Sequence, residues 1–185
     1  MRIAIFSDVH GNLSALEAVL TDIEGRSPDL VVFAGDLCLF GPRPAECLRL
    51  VRERRLPSVI GNTDEWTAGL GDSPEKHRAS LEWTAARLTT DELDWLRRLP
   101  FALRISPTDT SDSRDPHDVN GIIFPSVGEQ QDRWGKIRQS DEELGALISE
   151  VGAAAVAYGH LHIPGLRRWG ETTLANISSV SMPGD

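Results

Sequence analysis

Four short segments carry side chains able to hold a metal ion: Asp8-Val9-His10, Gly35-Asp36, Gly61-Asn62 and Gly159-His160-Leu161-His162. Carboxylate, imidazole and amide oxygen together suit a borderline divalent cation such as Mn2+, Fe2+ or Zn2+ better than calcium or a thiolate-bound metal. Side chains alternate along an extended chain, so Asp8 with His10, and His160 with His162, can each converge on one site. The glycines before Asp36, Asn62 and His160 are expected to let the backbone turn tightly as it leaves a strand. Taken singly, an Asp-x-His is common by chance and a Gly-Asp or Gly-Asn pair is usually a turn. Four such pieces, each following an apolar run, read together as a metal site.

The elements needed to position them are legible nearby. Arg2 to Phe6 reads as a buried strand, and Leu13, Leu16, Leu20 and Ile23 recur at helical spacing until Gly25 and Pro28. Leu30 to Ala34 is a second strand. Pro44 opens a helix with Cys47, Leu48 and Val51 on one face, closed by Pro57, and Val59-Ile60 is a third short strand. This order predicts a parallel βαβαβ unit, with the candidate ligands at strand C-terminal ends, where open α/β sheets place their ligands. Residues 73 to 98 look helical twice, from Ser73-Pro74 and from the capping box Thr89/Glu92. Phe101 to Ile105 alternates like a strand, and Ser106 to Asn120 reads as a polar loop. Ser140 with Glu143 opens a helix through Leu144, Leu147, Ile148 and Val151. Ala153 to Tyr158 is then a strand, and Leu166 to Trp169 with Thr172 to Ala175 a hairpin.

The 185 residues, 40% hydrophobic and 25% charged, fit one globular domain spanning 1–185. The best apolar run, Val151 to Tyr158, is far short of the roughly 18 residues of a membrane helix. Asp8 arrives too early for a signal peptide, so a cytoplasmic protein with reduced Cys38 and Cys47 is expected. With 19 Lys and Arg against 28 Asp and Glu, the net charge of -9 disfavours duplex nucleic acid. A small phosphate ester stays admissible, because bound cations reverse the local sign of a site. A homo-oligomer is left open.

The order Asp-x-His, Gly-Asp, Gly-Asn-x-Asp, Gly-His-x-His, with Gly41-Pro42-Arg43-Pro44 after the second motif, resembles the calcineurin-like metallophosphoesterases, and most of all their small bacterial phosphodiesterase branch. The likeness runs from residue 1 to about 183. It implies an α/β fold, a four-layer α-β-β-α sandwich of two mixed sheets flanked by helices, here with a helical insertion at about 64–98. It also implies two divalent metal ions, Mn2+ first and Fe2+ or Zn2+ as alternatives. Asp8, His10 and His162 would hold one and Asn62 and His160 the other. Asp36 would bridge them, and Asp36, Asn62 and His160 would be the catalytic positions. Two such cations ~3.5–4 Å apart can activate a hydroxide for in-line attack on phosphorus.

Two departures from that pattern stand out. Many members have a histidine after the Gly-Asn pair, thought to stabilise or protonate the leaving oxygen; here it is Thr63, whose hydroxyl can donate a hydrogen bond but is too weak an acid to give up its proton. Asp64 is then best read as a cap or turn residue. The family also has a strand before the His-x-His motif that ends in a ligating histidine. The equivalent place, Ser106 to Asp118, shows no apolar strand, and Ser113-Arg114-Asp115-Pro116 resembles only the tail of that motif. His117 falls after the proline and is expected in a solvated loop. The alternative function is therefore a catalytically weak or inactive scaffold on the same fold. Cys38 is expected to pack as a small thiol, Arg43 to lie on the surface, and Trp66, Trp83 and Trp95 to pack in or near the helical insertion. No P-loop, dinucleotide fingerprint or serine-hydrolase elbow is present.

Overall fold

The computed structural model describes residues 1–105, 122–125 and 153–184. The loop expected at Ser106–Asn120, His117 within it, and the helix expected from Ser140 to Val151 lie outside these.

The chain opens with strand β1 (Ile3–Phe6), helix α1 (Leu13–Arg26), strand β2 (Leu30–Phe33) and helix α2 (Pro44–Glu53). Asn12 caps α1 by accepting from the Ala15 N–H at 3.2 Å. The helix buries Leu13, Leu16, Leu20 and Ile23, the four residues whose spacing announces it. It runs past Gly25 and ends at Ser27, which takes the left-handed conformation. Pro44 sits at the start of α2, which buries Ala45, Cys47, Leu48 and Val51. These two faces and Phe6, Phe33 and Leu37 form the main core. Each fully buried Leu or Val there contributes on the order of 1.5–3 kcal/mol.

β1 and β2 pair in parallel with Phe6 opposite Phe33, so Ser7-Asp8 and Ala34-Gly35-Asp36 leave the sheet side by side. The expected third strand at Val59-Ile60 is reduced to an isolated bridge: Ser58 pairs with Phe33, and the Val59 N–H donates to the Phe33 carbonyl at 3.1 Å. The next segment turns away to Pro100, whose carbonyl accepts from the Ile60 N–H at 3.0 Å.

A helical region follows. Helix α3 (Asn62–Ala68) starts at a candidate ligand, and a 3-10 turn (Glu75–His77) leads into α4 (Arg78–Ala85), so Ser73-Pro74 opens a 3-10 turn and not an α-helix directly. Helix α5 (Thr90–Arg97) begins with the expected capping box, Thr89 and Glu92 each accepting from the other's backbone N–H.

The second sheet has the order β3 (Ala102–Ile105), β4 (Ile122–Pro125), β5 (Ala155–Tyr158), β7 (Thr172–Asn176), β6 (Gly165–Trp169), with parallel and antiparallel neighbours. β4 is a strand the sequence does not announce; Ser106–Asp118, where the resemblance calls for a strand ending in histidine, lies outside the described residues. β4 pairs antiparallel with β3 and parallel with β5, and Ile-Ile-Phe-Pro contains no histidine. Val32, Ala34, Val59 and Ala157, with Ile3, Ile5, Leu103 and Ile105, pack the two sheets face to face, while α1 and α2 cover the first sheet's other face. Among the described residues no helix is long and apolar enough to cross a membrane.

Candidate metal centre

Past β1 and β2 the strand ladder gives way to backbone clasps. The N–H groups of Asp8, His10 and Gly11 donate to the carbonyls of Gly35, Asp36 and Leu37 at 2.9, 3.0 and 2.7 Å. From the other side Ser179 Oγ donates to the Asp8 carbonyl at 2.8 Å, and the Val180 N–H to that of Ser7 at 3.0 Å. This stapling holds a costly backbone. Asp8, His10, Asp36, His160 and His162 have φ of 58, 47, 64, 79 and 57°, five of the eight non-glycine residues with positive φ among those described. Each costs roughly 1–2 kcal/mol, and such strain concentrates at functional sites.

The glycines do a different job from the one expected. Only Gly35 takes a positive φ; Gly61 and Gly159 supply space. A Cβ on Gly61 would collide with Asp36 Oδ1, and one on Gly159 would sit 2.5 Å from Asp8 Oδ2.

Asp8, His10 and His162 bring one ligand atom each within 4.8 Å of one another. His10 Nδ1 lies 3.1 Å from the Leu39 carbonyl and His162 Nδ1 2.9 Å from that of Met182. A carbonyl only accepts, so both Nδ1 atoms carry the proton and both Nε2 atoms turn their lone pairs inward when the rings are neutral. Those Nε2 atoms are 3.3 Å apart, and they lie 3.7 and 3.0 Å from Asp8 Oδ1. Burial would raise the Asp8 carboxyl, but hydrogen bonds with His10, His162 and Ser7 outweigh it and hold it far below the carboxylate range. His162 is raised in turn, chiefly by its bond to Asp8.

Asp36 is buried beside this trio. Burial and the Asp8 charge raise its carboxyl, while the Thr63 N–H and hydroxyl donate to Oδ1 at 2.9 and 2.7 Å. Asp64 is a cap, as the sequence suggests: it accepts from the N–H of Gly61, Asp36 and Leu37 at 3.1, 2.9 and 2.9 Å, locking α3 to the end of β2. Burial and the Asp36 charge push it up to about 7. Asn62 is buried and its Oδ1 has no hydrogen-bond partner among the described residues. His160 donates its backbone N–H to the Asp8 carboxylate at 3.1 Å; its half-buried side chain makes no hydrogen bond among the described residues.

These features fit divalent cations. Three buried carboxylates, Asp8, Asp36 and Asp64, have no Lys or Arg partner among the described residues. Two inward lone pairs and an orphaned amide oxygen add donors that want a positive centre. Sequence reasoning missed the clasp residues Ser7, Ser179 and Met182, and it missed Phe40, whose ring lies 5.6 Å from that of His10. Cys38 is buried, and Arg43 is exposed and pairs with Glu46.

An α/β fold of two packed sheets with a histidine–carboxylate cluster at its strand ends describes a candidate metal-binding class, and the comparisons sharpen it. The calcineurin-like phosphoesterase superfamily domain matches residues 1–185, and the chain belongs to that family. The metallophosphoesterase of Sphaerobacter thermophilus is 25% identical with a TM-score of 0.72, covering 100% of this chain and 79% of that one. Protein PH1004 of Pyrococcus horikoshii OT3 shares the fold at 18% identity, with a TM-score of 0.76 over 97% of this chain and 77% of that one. The protein MJ0912 of Methanocaldococcus jannaschii is 36% identical over 104 residues, 55% of this chain but only 43% of that relative's length.

Proposed function

We propose that this chain is a metal-dependent phosphoesterase acting on phosphodiesters, with a small phosphate ester as substrate and a cytoplasmic setting in keeping with its two free thiols. Asp8, His10 and His162 would hold one divalent cation, Asn62 and His160 a second, and Asp36 would be shared between them. Mn2+ is the first choice for these oxygen and nitrogen donors, with Fe2+ or Zn2+ next. The observation that carries the reading is the pair of Nε2 atoms 3.3 Å apart beside the buried Asp8, 3.7 and 3.0 Å from its Oδ1. When bound, such cations polarise phosphoryl oxygens and lower the pKa of water, which supplies a nucleophile near neutrality.

The chain's own residues set the rest. The Leu39 and Met182 carbonyls fix both imidazole tautomers and ring directions. Thr63 saturates Asp36 Oδ1, leaving Oδ2 as that carboxylate's free acceptor. Because the Thr63 hydroxyl points at Asp36, it is not a proton donor to a leaving group, so substrates whose leaving oxygen is stable as an anion are favoured.

The same Thr63 favours a second reading, a scaffold with little or no activity. One experiment separates them: elemental analysis after Mn2+ loading and desalting, beside hydrolysis of bis(p-nitrophenyl) phosphate. The enzyme reading expects two Mn2+ per chain and activity that falls at least about a hundredfold in Asp36→Ala, more than the ~10–100-fold typical of losing a ligand's supporting partner. Loading without hydrolysis moves the weight to the scaffold, and hydrolysis that survives Asp36→Ala overturns the shared-carboxylate arrangement.

A further inference from the structure

A row of aromatic rings leads outward from the metal centre. His10 contacts Phe40 at a centroid distance of 5.6 Å, Phe40 meets His77 edge-on at 5.0 Å, and His77 stacks on Trp66 at 5.9 Å with 20° between planes. The three outer rings come from three elements: the turn after β2, the 3-10 turn, and α3. Trp66 lies four residues after Asn62 on α3, hence on the same helix face as that candidate ligand.

Phe40 is not part of the buried core. It is 42% exposed and takes a φ of 85°, a region a bulky side chain rarely enters. The turn that carries it is pinned on both sides: Leu39 O accepts from His10 Nδ1, and Gly41 packs so closely on Gly11 that a Cβ there would collide with the His10 carbonyl. The backbone spends strain to hold an exposed ring beside a candidate ligand. Among the described residues Lys and Arg take no part in this row of ring contacts, so it suits a planar uncharged group better than a further phosphate.

We propose that Phe40, His77 and Trp66 form a subsite that stacks a planar aromatic group carried by the phosphate ester, a nucleobase or an aryl ring, while the phosphate lies at the metal centre. This rests on the phosphoesterase reading above.

The test is binding to the Mn2+-loaded full chain by calorimetry, comparing adenosine 5′-monophosphate with ribose 5-phosphate, and phenyl phosphate with methyl phosphate. The expected result is adenosine 5′-monophosphate bound about tenfold tighter than ribose 5-phosphate, the scale of one base stacked on aromatic side chains. Phe40→Ala and Trp66→Ala should each bring that ratio towards one, and Trp66→Phe should keep most of it. A matching gain for phenyl over methyl phosphate assigns the subsite to any aryl ring; a gain confined to the nucleotide pair assigns it to a base. Equal binding of the members of both pairs by wild-type protein, or a preference that survives both alanine variants, overturns the subsite alone. If the loaded chain binds none of the four phosphates, the phosphoesterase reading itself fails.

Discussion

The two sides of the candidate metal centre are built differently. Asp8, His10 and His162 stand on strand ends clasped by carbonyls and N–H groups from the β2 turn and from residues 179–182, so even their ring tautomers are dictated. Asn62 opens a helix of seven residues, α3, which depends on Asp64 at its start and on α4 and α5 for packing. A short helix has little stability of its own, and its order comes from what it packs against. The Asp8 side is therefore pre-organised by backbone, whereas on the other side His160 shares the clasped end of β5 and Asn62 is only as firm as its helical neighbours. This predicts that the Asp8 side fills with Mn2+ at lower concentration than the Asn62 side.

The largest way to break the contrast is to crowd the rigid side. Gly159→Ala puts a methyl against Ser7 Oγ and within 2.5 Å of Asp8 Oδ2, both on buried residues that cannot move aside. Overpacking of this kind costs about 1–3 kcal/mol. Thermal unfolding should show Tm lowered by roughly 2–10 °C for a chain of this size. Metal titration should show the tighter Mn2+ equivalent lost first. A variant with unchanged Tm and unchanged tight binding would mean that the Gly159 approach is not what sets Asp8.

A smaller change sharpens the other side. Arg97 Nε on α5 donates to the Ala68 carbonyl at 2.9 Å, tying down the last turn of α3. Arg97→Ala removes that bond, worth about 1 kcal/mol. The weaker Mn2+ equivalent should lose up to roughly fivefold in affinity, with the tighter one unmoved. Equal loss at both sites would erase the distinction drawn here.

What could be read from the sequence divides along the same line. The Asp8-x-His10 and His160-x-His162 spacings, and the apolar positions of α1 and α2, are visible because residue type itself carries the signal. The devices that hold the ligands are not, since the Leu39 and Met182 carbonyls belong to the backbone and any residue could supply them. Gly61 and Gly159 were legible as glycines but not as clearance for Asp36 and Asp8, which depends on segments far apart in sequence. Val59-Ile60 has strand composition, yet only Val59 bonds to β2, at Phe33, before the Ile60 N–H turns to Pro100 and the ladder stops. β4 was hidden because four residues between polar stretches give no period to count.

The smallest effect concerns the support of α5. Glu92 closes the capping box and also accepts from Arg49 Nε at 2.7 Å, with its side chain only 5% exposed. Burial alone would raise its carboxyl, but the Thr89 and Arg49 bonds win and leave it below the ordinary glutamate range. A depressed folded value means the ionised form stabilises the fold. That contribution is complete above the unfolded value of ~4.3 and fades as pH falls through the lower folded one. Glutamine can still close the capping box, so Glu92→Gln removes the charge and should cost about 1 kcal/mol at neutral pH, the scale of one weakened hydrogen bond. The two proteins should converge in urea unfolding as pH drops below ~4. A gap that stays constant with pH would assign the loss to packing instead of charge. A gap that closes, with the weaker Mn2+ equivalent following it at neutral pH, would show that the helical side of the metal centre draws its firmness from α5.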